Sequence, residues 1–232
     1  MDNKAKAKKG GLTPAEIVIS FLVIGIVGLI IIPLPTSLLD IFIVTNLTIA
    51  INILLITLFT KSVLEFSTFP TVLLITTMFK LGLNMSSTRS ILTTGNGGHV
   101  IEAFADVVAG ENYIVGIILF VIIMIVQLVV VTNGSGRVSE VSARFTLDAM
   151  PGKQMAIDSD LNSGAITEEQ ARQRRKDLQR EADFYGSMDG ASKFVKGDAI
   201  AGIIIVLVNL IGGTIIFTAK GDLSITDALS QF

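Results

Sequence analysis

Between Arg144 and Asp160 the chain reads RFTLDAMPGKQMAIDSD, and spacing tests what chemistry its charged residues could do. Asp158, Asp160, Asn162 and Glu169 stand at positions one, three, five and twelve of a calcium loop, but the glycine required at position six comes one place late, at Gly164. Ser163 makes that turn poorly, so the spacing argues against calcium. Pro151-Gly152-Lys153 has the Gly-Lys step of a phosphate loop, yet no glycine stands five places before Gly152 and Gln154 replaces the Ser/Thr, so that reading fails. Asp148, Asp158 and Asp160 lack an adjacent nucleophile, metal cluster or cofactor fingerprint, which leaves acid/base catalysis without support. What remains is a charge network: Arg144, Asp148, Lys153, Asp158 and Asp160 on one side, and Asp189, Lys193, Lys196 and Asp198 on the other. Two readings stay open. The carboxylates form ordinary ion pairs and helix caps, with Asp198 capping the last apolar helix, or one of them is a protonatable group whose charge changes how the segment packs.

The elements that must position these residues are membrane helices. Half of the 232 residues are hydrophobic and 16% are charged, against about a quarter in a soluble domain, and mean hydropathy is +0.69. No cysteine and a single histidine, His99, rule out disulfides, cysteine sites and a multi-histidine metal site,. No metal, cofactor or enzyme activity is expected. The basic start MDNKAKAKKGG precedes an apolar run without a small-residue cleavage pattern, so the first span is read as uncleaved,.

Thr13-Pro14-Ala15-Glu16 is a capping box that starts a helix running from about Pro14 to Ile32,. Ser37 and Asp40 are expected to cap a second helix running to about Thr60. Its Thr45, Asn46, Thr48, Asn52 and Thr57 either face other helices or, for the threonines, bond their own backbone,. Phe69 to Leu83 is too short for a simple span, so Leu81 to Arg89 either extends the helix with polar residues facing protein or breaks it as a re-entrant turn. Lys80 and Arg89 would each cost about 3 kcal/mol at a helix centre and are expected to pair, snorkel or line water. Thr94 to Asn112 reads as a loop plus a short amphipathic helix; Ile114 to Val131 and Ile200 to Phe217 are spans. Thr167-Glu168-Glu169-Gln170 is a second capping box, opening a charged helix to about Tyr185,. Its Arg172, Arg174, Arg175, Lys176 and Arg180 alternate with Asp177, Glu181 and Asp183, which argues against nucleic acid.

Four lysines lie before the first span and ten Lys/Arg between Asn133 and Gly197, so both regions are expected in the cytoplasm. The expected organisation is an all-α polytopic membrane protein of about five spans with a helical cytoplasmic insert between spans four and five. Residues 1–13 form a basic cytoplasmic N-terminus, 14–131 hold four membrane helices with a possible re-entrant segment at 81–112, and 132–198 form the insert. Residues 199–219 are the fifth span and 220–232 an extracytoplasmic tail, so the chain reads as a fragment of a longer protein.

FPTVLLITTMFKLGLNMSSTRSIL, HVIEAFADVV, SEVSARFTLDAMPGKQMAIDSDLNSG and READFYGSMDGASKFVKGDAIAG resemble the FHIPEP family, the large export gate proteins of type III secretion. The blocks cover most of residues 65 to 210, and Ala156 and Asn162 resemble the flagellar branch more than the virulence branch. The resemblance implies eight spans followed by a cytoplasmic domain that docks the export ATPase complex, chaperones and substrates, of which this chain is the N-terminal portion. It also implies a nine-membered homo-oligomeric ring among other membrane export gate subunits, in the bacterial cytoplasmic membrane at the flagellar basal body. There the proton motive force helps drive unfolded proteins outward, and the acidic residue implicated in that coupling falls by motif on Asp158. The family's basic positions fall on Lys80, Arg89, Arg144 and Lys153. In the family's TKGxER stretch this chain has Thr132-Asn133-Gly134-Ser135-Gly136-Arg137, retaining Arg137 but not the lysine and glutamate. Two alternatives stand beside the export gate: an ion-coupled transporter of small solutes lined by Lys80, Arg89 and the polar second helix, and a passive membrane scaffold.

Overall fold

The computed structural model describes residues 14–110 and 113–221, and every regular element among them is helical. The order is α1 (Pro14–Ile31), α2 (Thr36–Phe59), α3 (Phe69–Thr94), α4 (His99–Ala109), α5 (Tyr113–Val126), a π-helical segment (Gln127–Ser135), α6 (Gly136–Asp148), α7 (Met150–Asn162) and α8 (Glu168–Lys220). Three helical stretches, Thr36–Phe59, Ile114–Asn162 and Glu168–Lys220, are long and apolar enough to cross a membrane; Glu16–Ile31 is a shorter apolar helix. Phe21, Ile24, Leu47, Leu54, Ile118, Ile122, Ile211 and Ile215 all lie exposed. Helices apolar on every side are what a lipid solvent selects. The chain is an all-α polytopic membrane protein.

α3 is the centre, packing against α1, α2 and α8. The helix runs unbroken through Leu81–Arg89 to Thr94, so of the two readings for that stretch the continuous helix holds. Its polar half turns inward: Thr77, Gly82, Leu83 and Ser86 are buried. Gly82 sets the approach to α1, since a Cβ there would lie 3.3 Å from Leu29 Cβ and 3.4 Å from the Ile26 carbonyl. Small residues let two membrane helices meet at this range.

One expectation about caps is corrected and another is left untested. Thr13 lies outside the described residues, so the first capping box goes without a structural account. α2 begins after Pro35 with no side-chain cap, and Asp40, five residues into the chain from Pro35, points elsewhere. Its Oδ2 accepts from the His99 N–H and its Oδ1 from the Val100 N–H, both at 3.1 Å. Asp40 therefore caps α4, where a carboxylate satisfies free N–H groups and meets the positive end of the helix. On α2, Thr45, Thr48 and Thr57 donate to the carbonyls of Ile41, Val44 and Ile53. The self-bonded reading of those threonines holds, and it lets them tolerate lipid.

The larger correction is at α8. A charged helix ending near Tyr185 and a span beginning near Ile200 were expected; instead one helix of 53 residues runs through both. Nothing in GSMDGASKFVKGDA breaks it, because its glycines lie inside a helix already nucleated on both sides and no proline intervenes,. The Thr167–Gln170 capping box does form, with Thr167 Oγ1 accepting from the Gln170 N–H at 3.3 Å and Gln170 Oε1 from the Thr167 N–H at 2.9 Å. Thr167→Ala is expected to cost about 1 kcal/mol, read as faster amide exchange in the first turn of α8.

Candidate functional site

α7 and the first third of α8 form a helical hairpin over a small core of Ile157, Ile166 and Ala171, with Leu161 and Leu178 packed against it. Charged residues close its sides. Lys153 Nζ donates to Glu181 Oε1 at 3.0 Å, Arg175 Nη2 to Asp158 Oδ1 at 2.6 Å, and Arg174 Nη1 to Asp160 Oδ2 at 3.1 Å. Partners descend along α8 as they ascend along α7, the register of antiparallel helices. Asp158 and Arg175 are 47% and 45% exposed, and pairs this wet contribute at most about 1 kcal/mol each. They set register more than stability. Asp158, Asp160 and Asn162 lie within α7 itself, a geometry that keeps them from wrapping an ion as a loop would, and Pro151-Gly152-Lys153 forms its first turn.

The charges expected to make one network are divided among the hairpin and three other places. Arg144 and Asp148 stand exposed on α6 without an ion-pair partner among the described residues. Asp189 and Lys193 pair along α8 at 2.7 Å, and the Asp189 hydrogen bond, with Glu140 adding to it, raises the Lys193 pKa above the ordinary lysine value. Asp198 is not the cap of a span. It sits in mid-α8, buried, and its Oδ2 accepts from Lys80 Nζ of α3 at 2.7 Å, while its Oδ1 is buried without a partner among the described residues. Of the fates open to Lys80, pairing is the one observed.

Arg89 has a different task. Its Nη1 donates to the Ile31 carbonyl at 2.7 Å, with a longer approach to Ile30 at 3.5 Å, satisfying the last carbonyls of α1 and matching a cation to the negative helix end. Beside Lys80 a cavity of about 340 Å³ opens between α2 and α3, lined by Asn46, Thr57, Thr76 and Thr77 among apolar residues.

The FHIPEP family model matches residues 26–232. The chain belongs to the FHIPEP family. It is 56% identical over 210 residues to "Flagellar biosynthesis protein FlhA" of Bacillus subtilis, covering 90% of this chain and 31% of that protein. It is 51% identical over 233 residues to the protein of the same name from Caulobacter vibrioides, covering 98% and 33%. The "Low calcium response locus protein D" of Yersinia pestis is 49% identical over 217 residues, covering 94% and 31%. The chain thus spans about a third of the length of the curated relatives it matches. No solved structure matches it.

For an FHIPEP chain the family blocks now have a geometry. The FKLGLN block and the KGDAIAG block meet through Lys80 and Asp198, and the KQMAID block pairs with Glu181 and Arg175. Sequence reasoning weighed Arg174, Arg175 and Glu181 only as part of a basic run and missed them as partners. The signal was present: α7 carries Lys153, Asp158 and Asp160, and the helix across a five-residue turn carries their opposites in reverse order. The Lys80–Asp198 pair, 118 residues apart in the chain, had no such local signal.

Proposed function

We propose that this chain is the N-terminal membrane portion of a flagellar type III export gate subunit that couples the proton motive force to outward movement of unfolded proteins. In this reading it sits in the bacterial cytoplasmic membrane with its N-terminus and the α6–α7 insert inside. It assembles as a ring with other gate subunits, and a domain beyond this portion meets the ATPase complex, chaperones and substrates. The observation that carries the coupling is α8: one unbroken helix bears Arg175, the partner of Asp158, near its start and Asp198, the partner of Lys80, near its middle. Protonating Asp158 removes the charge that holds Arg175, freeing α7 from its register on α8. A rigid helix passes that change to the α3 contact.

Asp158→Asn in the complete protein is expected to block export, measured as secreted flagellar protein, while membrane assembly persists. Asp158→Glu keeps the charge and changes only reach, so its defect should be milder. Equal defects in the two would assign Asp158 a packing role, and normal export by Asp158→Asn would sink the coupling reading. Uptake of small solutes by vesicles holding the protein alone would favour a transporter instead, and intact coupling after neutral substitution of both Asp158 and Lys153 would favour a scaffold.

A further inference from the structure

Where the apolar runs flanking the insert turn polar, the two helices that carry them enclose a polar cavity of about 320 Å³. Its wall comes from the end of the π-helical segment, the start of α6 and the middle of α8, and includes Thr132, Arg137, Glu140, Asp189, Lys193 and Lys196. Val129 and Val130 on one helix and Ile200 and Ile204 on the other are exposed just beyond it. Those residues place the cavity at the boundary between hydrocarbon and headgroups.

The charges in the wall do not balance. Lys193 Nζ is held by Asp189 at 2.7 Å, which leaves Arg137 and Lys196, neither with an ion-pair partner among the described residues, against Glu140. The remainder is one positive charge. Lys196 is laid along the wall by Gly136, where a Cβ would come 4.0 Å from its Cδ. Thr132 supplies the second observation. It is only 6% exposed and its Oγ1, like those of Thr88 and Thr218, has no hydrogen-bond partner among the described residues, whereas Thr45, Thr48 and Thr77 bond back to a carbonyl of their own helix. An unmet buried hydroxyl is costly and is a donor awaiting an acceptor.

We propose that this cavity holds the phosphodiester of an anionic phospholipid headgroup, with Arg137 and Lys196 matching its single negative charge and the Thr132 hydroxyl donating to one of its oxygens. Basic pockets between membrane helices suit such headgroups, and the exposed valines and isoleucines beyond the cavity take the acyl chains. A free phosphate ion shares the chemistry but has no use for that apolar flank.

The test uses the complete protein in nanodiscs of phosphatidylcholine mixed with phosphatidylglycerol, followed by native mass spectrometry of lipid retained after mild delipidation. Wild type should keep phosphatidylglycerol over phosphatidylcholine. Arg137→Gln and Lys196→Gln should each lower that retention about fivefold, and Thr132→Val, which leaves the charge unchanged, about tenfold. Arg172→Gln, on the exposed hairpin away from the cavity, should leave it unchanged, and Arg137→Lys should keep most of it, showing that loss is not misfolding. Retention undiminished in the double Arg137→Gln/Lys196→Gln variant overturns the proposal, as does equal loss in Arg172→Gln. Displacement by inorganic phosphate with no preference between the lipids overturns the lipid assignment.

Discussion

Lys80→Leu in the complete protein is expected to cost about 3 kcal/mol of folding free energy, read as a shift in the midpoint of unfolding by SDS in mixed micelles. The substitution leaves Asp198, 5% exposed with its second oxygen already unpartnered, as an uncompensated charge or forces it to take a proton. The opposite change is milder. Asp198→Asn leaves behind a lysine that is 44% exposed and can carry its ammonium toward polar surroundings along its own stem, so the expected cost is about 1 kcal/mol. Lys80→Leu/Asp198→Leu together should recover most of the loss, because a desolvated ion pair contributes little against well-packed apolar residues. Equal costs for the two single variants, or no recovery in the double, would show that the pair is not what joins α3 to α8.

This asymmetry explains why the pair was beyond sequence reading. Lys80 was recognisable as a charge needing a partner, because an intramembrane lysine is costly anywhere. Asp198 was recognisable only as an acidic residue before an apolar run, and such residues are commonly helix caps. To distinguish a cap from a mid-helix carboxylate requires knowing that α8 continues through Gly186, Gly190 and Gly197, and helix propensity at those glycines argues the other way. Tertiary contact with α3 and α6 overrides it. The π-helical turns at Gln127–Ser135 were equally hidden, since composition carries no mark of an i to i+5 bond. What was legible rested on stronger local rules: the apolar lengths of α2 and α5 and the Thr167 capping box. The charge network was legible as composition but not as geometry. Lys153, Asp158 and Asp160 pair with the first third of α8 and Asp198 pairs with Lys80 of α3, and only the fold brings those together.

Gly98→Ala is the second substitution expected to have a large effect. Gly98 has φ of +102°, and a Cβ there would lie 2.5 Å from Asp40 Oδ1 and 3.3 Å from its Cγ. The backbone strain alone is about 1–3 kcal/mol. The same methyl displaces the carboxylate that accepts from the His99 and Val100 N–H groups, a cap contributing about 1 kcal/mol. The loop cannot give way to relieve the contact, because the Gly98 N–H is held by Asn96 Oδ1 at 2.6 Å and the Asn96 carbonyl by the Ser90 hydroxyl at 2.8 Å. A total of about 3 kcal/mol should therefore appear as faster hydrogen exchange confined to His99–Ala109, with α2 and α3 retaining their protection. Asp40→Ala alone removes the cap and should cost about 1 kcal/mol. Adding Gly98→Ala to Asp40→Ala should cost less than it does in wild type, because the clash is gone and only the strain remains. Strict additivity of the two would mean that Asp40 and Gly98 act separately, and α4 would then be held to α2 by its apolar face instead of by the carboxylate that caps it.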